Sequence, residues 1–98
     1  MYQFIAIVTL PDVLEDDFNN LMPEQRLYID ELMHNGVVTG YSLSLDRSML
    51  WVTLATSSKK KAQKALDGFP IREYIQYELV ELMFHNSASF MFPALSLN

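Results

Sequence analysis

The sequence predicts an α+β domain in which four strands and two helices follow one another in the order βαββαβ. Four segments stay apolar at both even and odd positions, which is typical of strands covered on both faces; they are residues 2–10, 37–45, 50–56 and 77–84. Stretches with helical spacing of apolar residues separate the first strand from the second and the third from the fourth. This order is that of a four-stranded antiparallel sheet with two helices on one face, the ferredoxin-like plait.

The first helical stretch is interrupted by a proline. Apolar residues at helical spacing come first, at Leu14, Phe18 and Leu21. Pro23 then fits best in the first turn of a new helix, over about residues 23–35, because its missing N–H costs little there. Gly36 suits the position just after the end of that helix.

The second helical stretch lies between the third and fourth strands. Ser57 or Ser58 can cap its first turn. Its buried stripe follows the helical repeat and consists of Ala62, Ala65, Leu66 and Phe69. Gly68 and Pro70 mark its end.

The segment Leu45-Asp46-Arg47-Ser48 predicts a hairpin between the second and third strands. If the turn centres on Asp46 and Arg47, the strand pairing is determined. Leu43 then faces Leu50 and Tyr41 faces Val52, on the side expected under the helices. On the other side, small residues face large ones: Ser42 faces Trp51 and Ser44 faces Met49. This layout predicts free space above the two serines.

The composition limits the classes of protein to which this chain can belong. The chain has 98 residues, half of them hydrophobic, a net charge of −5 and no cysteine. One domain with an ample core is expected, without disulfides or a thiolate metal site. The acidic balance argues against nucleic-acid binding, and no apolar run is long enough to span a membrane. We expect a cytoplasmic protein that needs no cofactor, and we find no metal-ligand spacing.

A sheet with helices on one face leaves its other face bare unless a second copy covers it. The sequence therefore predicts a homodimer or higher homo-oligomer. We expect residues 1–87 to form the domain. Residues 88–98 form an apolar tail, with Phe90, Met91, Phe92, Leu95 and Leu97, which we expect to pack on a neighbouring subunit.

Several motifs resemble the muconolactone isomerase-like family. They are Gly36 before the second strand, Phe69-Pro70, Tyr74, the strand residues Tyr77-Glu78-Leu79, and His85-Asn86-Ser87. The resemblance covers about residues 2–87. It implies a dimeric α/β barrel in which two sheets pack face to face. It also implies an isomerase that moves a double bond within an unsaturated lactone by removing and returning a proton.

Glu81 and His85 are the candidate catalytic residues. Proton transfer needs a group that takes and returns the proton, and the pKa of a histidine lies near neutrality. Glu81 interrupts an apolar strand, and we expect it to share a face with Tyr77, Leu79, Met83 and His85, on the side of the sheet that carries Trp51. A carboxylate desolvated there has a raised pKa that suits a base. Alternatively, His85 bonds backbone or a subunit contact at the strand end, and Glu81 forms a salt bridge to Arg47 or Arg72 across the dimer interface.

Gln25, Ser42, Ser44 and Trp51 are the candidate substrate-binding residues. Trp51 with the two serines can form an apolar wall with hydroxyl donors, as in many small-molecule sites; plain packing between sheets is the alternative. Gln25 lies on the helical stripe, where a buried amide must be hydrogen-bonded. It can bond a ligand at the open end of the sheet or neighbouring backbone.

Two functions are consistent with these residues. One is an isomerase that moves a proton in a small unsaturated lactone or cyclic carbonyl compound, with Glu81 or His85 as base in a pocket with Ser42, Ser44 and Trp51. The other is a non-catalytic module that binds a small ligand or only assembles. An open pocket with an unpaired Glu81 favours the first, and a filled pocket with a paired Glu81 favours the second.

Overall fold

The computed structural model describes residues 1–12 and 16–86. The strands are β1 (Tyr2–Thr9), β2 (Val38–Leu43), β3 (Met49–Thr56) and β4 (Gln76–Leu82). The helices are α1 (Asp16–Asn20), α2 (Met22–His34) and α3 (Lys59–Asp67), and one short 3₁₀ turn covers Arg72–Tyr74. The predicted domain boundary at residue 87 and the predicted docking of the tail over 88–98 lie outside the described residues.

The described strands form one antiparallel sheet in the order β2-β3-β1-β4. α2 packs against β2, while α3 packs against β3 and β1. The buried side chains of β1 and β3 point toward these helices, and they include Phe4, Ala6, Val8, Val52 and Leu54. The predicted ferredoxin-like α+β fold is confirmed.

The helical segment between β1 and β2 divides as predicted. α1 ends at Asn20, and α2 begins at Met22 with Pro23 in its first turn. Proline is tolerated there because the first backbone N–H groups of a helix have no partner within the helix. Phe18 of α1 is buried and meets the ring of Tyr74 edge-on, with centroids 5.5 Å apart.

The predicted register of the β2–β3 hairpin is confirmed. Tyr41 lies opposite Val52, Ser42 opposite Trp51, and Leu43 opposite Leu50. The register shifts between Val38 and Gly40. An extra residue in one strand of an antiparallel pair produces such a bulge and leaves the rest of the pairing intact.

The predicted faces of β4 are reversed. Leu79 lies opposite Ala6 and Glu81 opposite Phe4, and directly opposed residues of an antiparallel pair share a face. Leu79 therefore faces the helices, and it packs against the core. The alternation of side chains along β4 predicts which residues share a face. It does not predict which face packs on the helices, because a shift of one residue in the strand pairing exchanges the two faces. The expectation that Leu79 and Glu81 share a face with Trp51 is wrong.

β4 is also shorter than predicted. It ends at Leu82, and Met83 and Phe84 beyond it are exposed. The backbone N–H of His85 donates to Oε1 of Gln3 at 2.7 Å. His85 therefore follows the strand rather than forming part of it.

The face of the sheet away from the helices, here called the open face, is largely apolar. Its residues follow from the register, and its apolar members are Ile5, Ile7, Met49, Trp51, Ala55, Val80 and Leu82. Val80 is exposed and the others are partly exposed. None of the described helices covers this face, because the helices that contact the sheet pack on the side of Phe4 and Val52.

Candidate functional site

A cleft of about 520 Å³ opens between the helices and the end of the β2–β3 hairpin. We call it the Gln25 cleft. The first two helices supply Phe18, Asn19, Met22, Gln25, Arg26 and Ile29 to its lining. The strands and the segments beside them supply Leu10, Tyr41, Leu43, Arg47, Leu50 and Ile71. Its volume lies in the range of small-molecule sites.

The break between α1 and α2 positions Gln25. The N–H of Leu21 donates to the carbonyl of Phe18 at 3.1 Å, and the N–H of Gln25 donates to the carbonyl of Leu21 at 2.9 Å. Gln25 therefore lies in the first turn of α2, next to the point where the chain changes direction. Its side chain points inward and is only 6% exposed.

Gln25 is hydrogen-bonded on one side only. Its Oε1 accepts from the backbone N–H of Ile71 at 3.4 Å, which fixes the orientation of the amide because an N–H needs an acceptor. Its Nε2 is buried and has no hydrogen-bond partner among the described residues. A buried donor without a partner costs about 1–3 kcal/mol. Gln25 also lines the cleft. Less than 1 Å² of Nε2 is accessible, so its neighbours must shift before a ligand can accept a hydrogen bond from it.

The cleft is positively charged in an acidic protein. Among its described lining residues, the ionisable side chains are Arg26, Arg47 and Tyr41. The described lining includes no carboxylate and no histidine, whereas the chain as a whole has a net charge of −5.

Ser44 belongs to the hairpin turn and does not line the Gln25 cleft. Its hydroxyl donates to Oδ1 of Asp46 at 2.8 Å and accepts from the N–H of Met49 at 3.0 Å. Asp46 also accepts from the hydroxyl and the N–H of Ser48, at 2.7 and 3.0 Å. These bonds, led by that from the Ser48 hydroxyl, lower the pKa of Asp46 to about 2. The hydrogen-bonding capacity of Ser44 is thus used to shape the turn.

Ser42 and Trp51 lie opposite each other on the open face. Their pairing agrees with the prediction. Gln25, however, lies on the face of the sheet that carries the helices, so the sheet separates it from Ser42 and Trp51. Ser42 is exposed and Trp51 is partly exposed. Their predicted role in binding substrate is not tested by this geometry.

Glu81 and His85 have exposed side chains and lie beside the start of β1. The Gln25 cleft lies beyond the other end of β1, where Leu10 is one of its lining residues. Glu81 faces the helix side and Trp51 faces the open face. The single pocket predicted for Ser42, Ser44, Trp51, Glu81 and His85 is therefore not formed within one subunit. The catalytic role of Glu81 and His85 stays a prediction.

Within one subunit neither Arg47 nor Arg72 contacts Glu81, and the predicted salt bridge across a dimer interface stays a prediction. Nε of Arg72 forms an ion pair with Oδ1 of Asp67 at 3.0 Å, and its guanidinium lies 5.1 Å from the centre of the Tyr77 ring. Arg47 instead lines the Gln25 cleft. Arg47, Tyr41 and Ile71 are lining residues that the sequence reasoning missed. The available signal was the position of Arg47 in a turn next to a strand end.

A second cleft, of about 710 Å³, lies at the other end of the sheet. Its lining includes Tyr28, Leu32, Val37, Ala55 and Ala65. The Tyr28 hydroxyl donates to the carbonyl of Ala65 at 2.6 Å. Among the described residues, Gln25 alone has a buried side-chain polar atom without a partner, so this second cleft is the weaker candidate.

The described part of the chain contains neither a candidate metal-binding cluster nor a candidate membrane-spanning helix. No group of three or more histidine, aspartate or glutamate side chains there could hold a metal ion. No helix within residues 1–12 and 16–86 is long and apolar enough to cross a membrane.

Comparison with known proteins supports the fold alone. The chain matches no protein-family model and no curated protein sequence. Among solved structures it resembles 5-chloro-2-hydroxyhydroquinone dehydrochlorinase (TftG) from Burkholderia phenoliruptrix, in complex with 2,5-dihydroxybenzoquinone. The TM-score is 0.66 at 7% sequence identity, over 89% of this chain and 97% of that chain.

The unpaired donor makes a prediction about stability. We expect Gln25→Met to change the free energy of unfolding by less than about 1 kcal/mol, because it removes the unpaired Nε2 but also leaves the buried N–H of Ile71 without its acceptor. Urea unfolding measures this change. Thr56 is the matched control, since it is equally buried but its hydroxyl donates to the Ser58 carbonyl at 2.6 Å. Thr56→Val should lower stability by about 1 kcal/mol. A comparable loss in Gln25→Met would show that the amide is fully bonded.

Proposed function

We propose that this protein binds a small cyclic compound in the Gln25 cleft, with an oxygen atom of the ligand accepting a hydrogen bond from Nε2 of Gln25. The unpaired, buried Nε2 is the observation on which this proposal rests. A ligand oxygen would supply the missing acceptor and remove the cost of the unpaired donor. Carbonyl and hydroxyl oxygens both accept such a bond.

The lining supports a flat, mainly apolar ligand. Phe18, Met22, Ile29 and Leu50 provide apolar surface, and the polar groups are few and lie at distinct positions. This combination is usual in small-molecule sites, where apolar walls supply contact area and a few polar groups orient the ligand. A single ring with one or two oxygen substituents fits this description.

The structural comparison suggests a first probe. The solved dehydrochlorinase is described in complex with 2,5-dihydroxybenzoquinone, a ring with carbonyl and hydroxyl oxygens. At 7% identity the likeness supports only the choice of compound class. That class agrees with the cyclic carbonyl compounds implied by the resemblance to the muconolactone isomerase-like family.

Isomerase activity is the more specific form of this proposal. It requires a base near the bound ring. The described lining of the Gln25 cleft contains no carboxylate and no histidine, and its ionisable side chains are two arginines and one tyrosine. Glu81 and His85 do not line this cleft, so they would act as the base only in a site that a second subunit completes. Binding is therefore better supported than catalysis.

We also propose that two copies of the chain associate through the open face. Ile5, Ile7 and Trp51 form the centre of an apolar surface without a covering helix among the described residues. Apolar patches of this kind on a sheet mark interaction sites. A second copy of the same face offers matching apolar surface, and a stable interface of about 800 Å² per partner is expected.

The binding proposal predicts saturable association with 2,5-dihydroxybenzoquinone, measured by calorimetry. Gln25→Met should weaken it about tenfold, which is the effect of losing one buried hydrogen bond worth about 1.4 kcal/mol. Lys64→Gln, in the second cleft, is the control and should leave the affinity unchanged. Absence of binding, or equal affinity in Gln25→Met, would contradict the proposed site.

Isomerase activity predicts exchange of an allylic proton of an unsaturated five-membered lactone with solvent deuterium, followed by NMR. If Glu81 or His85 is the base, Glu81→Gln or His85→Asn should abolish the exchange while the fold is kept. Equal exchange rates in both variants and the natural protein would exclude both residues as the base. No exchange with the natural protein would favour the non-catalytic binding module.

Association through the open face predicts a dimer or larger species in sedimentation at micromolar concentration. Ile7→Glu, at the centre of that face, should shift the protein toward monomer because it places a charge in an apolar interface. Leu27→Glu is the matched control, because Leu27 is 70% exposed on α2, and it should not change the mass. A folded monomer with the natural sequence would refute this interface.

A further inference from the structure

We infer that the ligand of the Gln25 cleft is an anion and that Arg47, held in place by the β2–β3 turn, is the residue that selects it. This inference rests on the proposed function of the cleft and specifies its ligand class. It follows from the backbone conformation of Arg47, the hydrogen bonds of its turn, and the lack of a partner for its charge among the described residues.

The backbone at Arg47 is strained. Its φ is 63°, and among the described residues it is the one non-glycine residue with positive φ. Glycine adopts this left-handed conformation at little cost, and asparagine and aspartate adopt it more readily than residues with long side chains. An arginine at this position makes the folded protein less stable than a glycine would. Strained positions of this kind cluster at binding sites.

The turn holds the backbone of Arg47 beside the cleft, while its side chain is exposed. The N–H of Arg47 donates to the carbonyl of Ser44 at 3.0 Å. The Asp46 carboxylate accepts bonds from Ser44 and Ser48. The N–H of Leu10, another lining residue, donates to the carbonyl of Ser48 at 2.9 Å and ties the turn to the end of β1. The guanidinium is thus presented from a turn whose conformation is set before any ligand binds.

The charge of Arg47 is not neutralised by the described residues. The one ion pair there joins Arg72 to Asp67, and no side-chain hydrogen bond of Arg47 or Arg26 is present in that part of the chain. The neighbouring Asp46 carboxylate receives its bonds from serine groups. Both arginines line the same cleft. A guanidinium binds planar anions through two parallel N–H bonds.

The cleft therefore favours a particular ligand class. The ligand needs an oxygen acceptor for Nε2 of Gln25 and a negative charge for Arg47, and both residues line the same cleft. A small ring bearing a carboxylate, or a ring whose acidic hydroxyl is ionised at neutral pH, meets both requirements. Apolar residues such as Phe18 and Leu50 also line the cleft and suit the ring itself.

Benzoate and benzamide test this inference directly, because they share size and shape and differ in charge. Calorimetry on the full chain should show that benzoate binds at least about tenfold more tightly than benzamide, a preference that falls with added salt. Arg47→Gly should abolish the preference by weakening benzoate alone. Because it relieves the backbone strain, the melting temperature of this variant should be unchanged or higher.

Two further variants separate this inference from the proposed function. Gln25→Met should weaken both probes alike, because both present an oxygen to the amide. Lys60→Gln removes one positive charge from exposed surface of α3, and it should keep the preference. An Arg47→Gly variant that still prefers benzoate, or a natural protein that binds the two probes equally, would overturn the anion inference while leaving the Gln25 site intact. Failure of both probes to bind would overturn both.

Discussion

The antiparallel pairing of β1 with both β3 and β4 determines which face of the sheet each side chain occupies. β1 lies at the centre of the sheet, so its pairing sets the faces of both neighbours at once. Phe4, Val52 and Leu79 are thereby directed toward the helices. Ile5, Trp51 and Val80 are directed away from them. The hydrophobic core, the open face and the position of every candidate residue on a strand depend on this pairing.

The helices leave a gap beside the β2–β3 hairpin, and the Gln25 cleft occupies it. α1 ends after five residues and α2 starts in a new direction, so the layer does not cover the end of the β2–β3 hairpin. Two features near this gap are unfavourable for stability: the unpaired Nε2 of Gln25 and the left-handed backbone of Arg47. Among the described residues, they are the one buried side-chain polar atom without a partner and the one non-glycine residue with positive φ. Local exceptions of this kind are expected at functional sites.

Much of the fold could be predicted from local patterns. Pro23 and the turn at Asp46 and Arg47 divide the chain at identifiable positions, and the turn also determines the hairpin register. The faces of β4 could not be predicted in this way, because its partner is distant in sequence and both of its faces carry apolar residues. That ambiguity placed Glu81 on the wrong side of the sheet.

The candidate site was predictable only in part. Gln25 stood out as a polar residue on a buried helical stripe, and its bond to backbone was among the alternatives considered. The approach of Ile71, from the connection between α3 and β4, depends on tertiary packing and has no local signal. The hairpin pattern predicts Ser44 as a ligand contact, whereas its hydroxyl bonds the carboxylate of Asp46 in the turn. That bond depends on the conformation of the turn, which strand pairing alone does not specify.

The side-chain amide protons of Gln25 provide the most direct test of the central claim, which is that Nε2 is an unpaired donor directed at a ligand. Their NMR signals, assigned by loss in Gln25→Met, should lie at the position of weakly bonded amide protons in the free protein. Saturation with benzoate should shift them downfield and slow their exchange with solvent, as a new hydrogen bond requires. Signals that show a strong hydrogen bond before any ligand is added, or that do not move at saturation, would contradict the account.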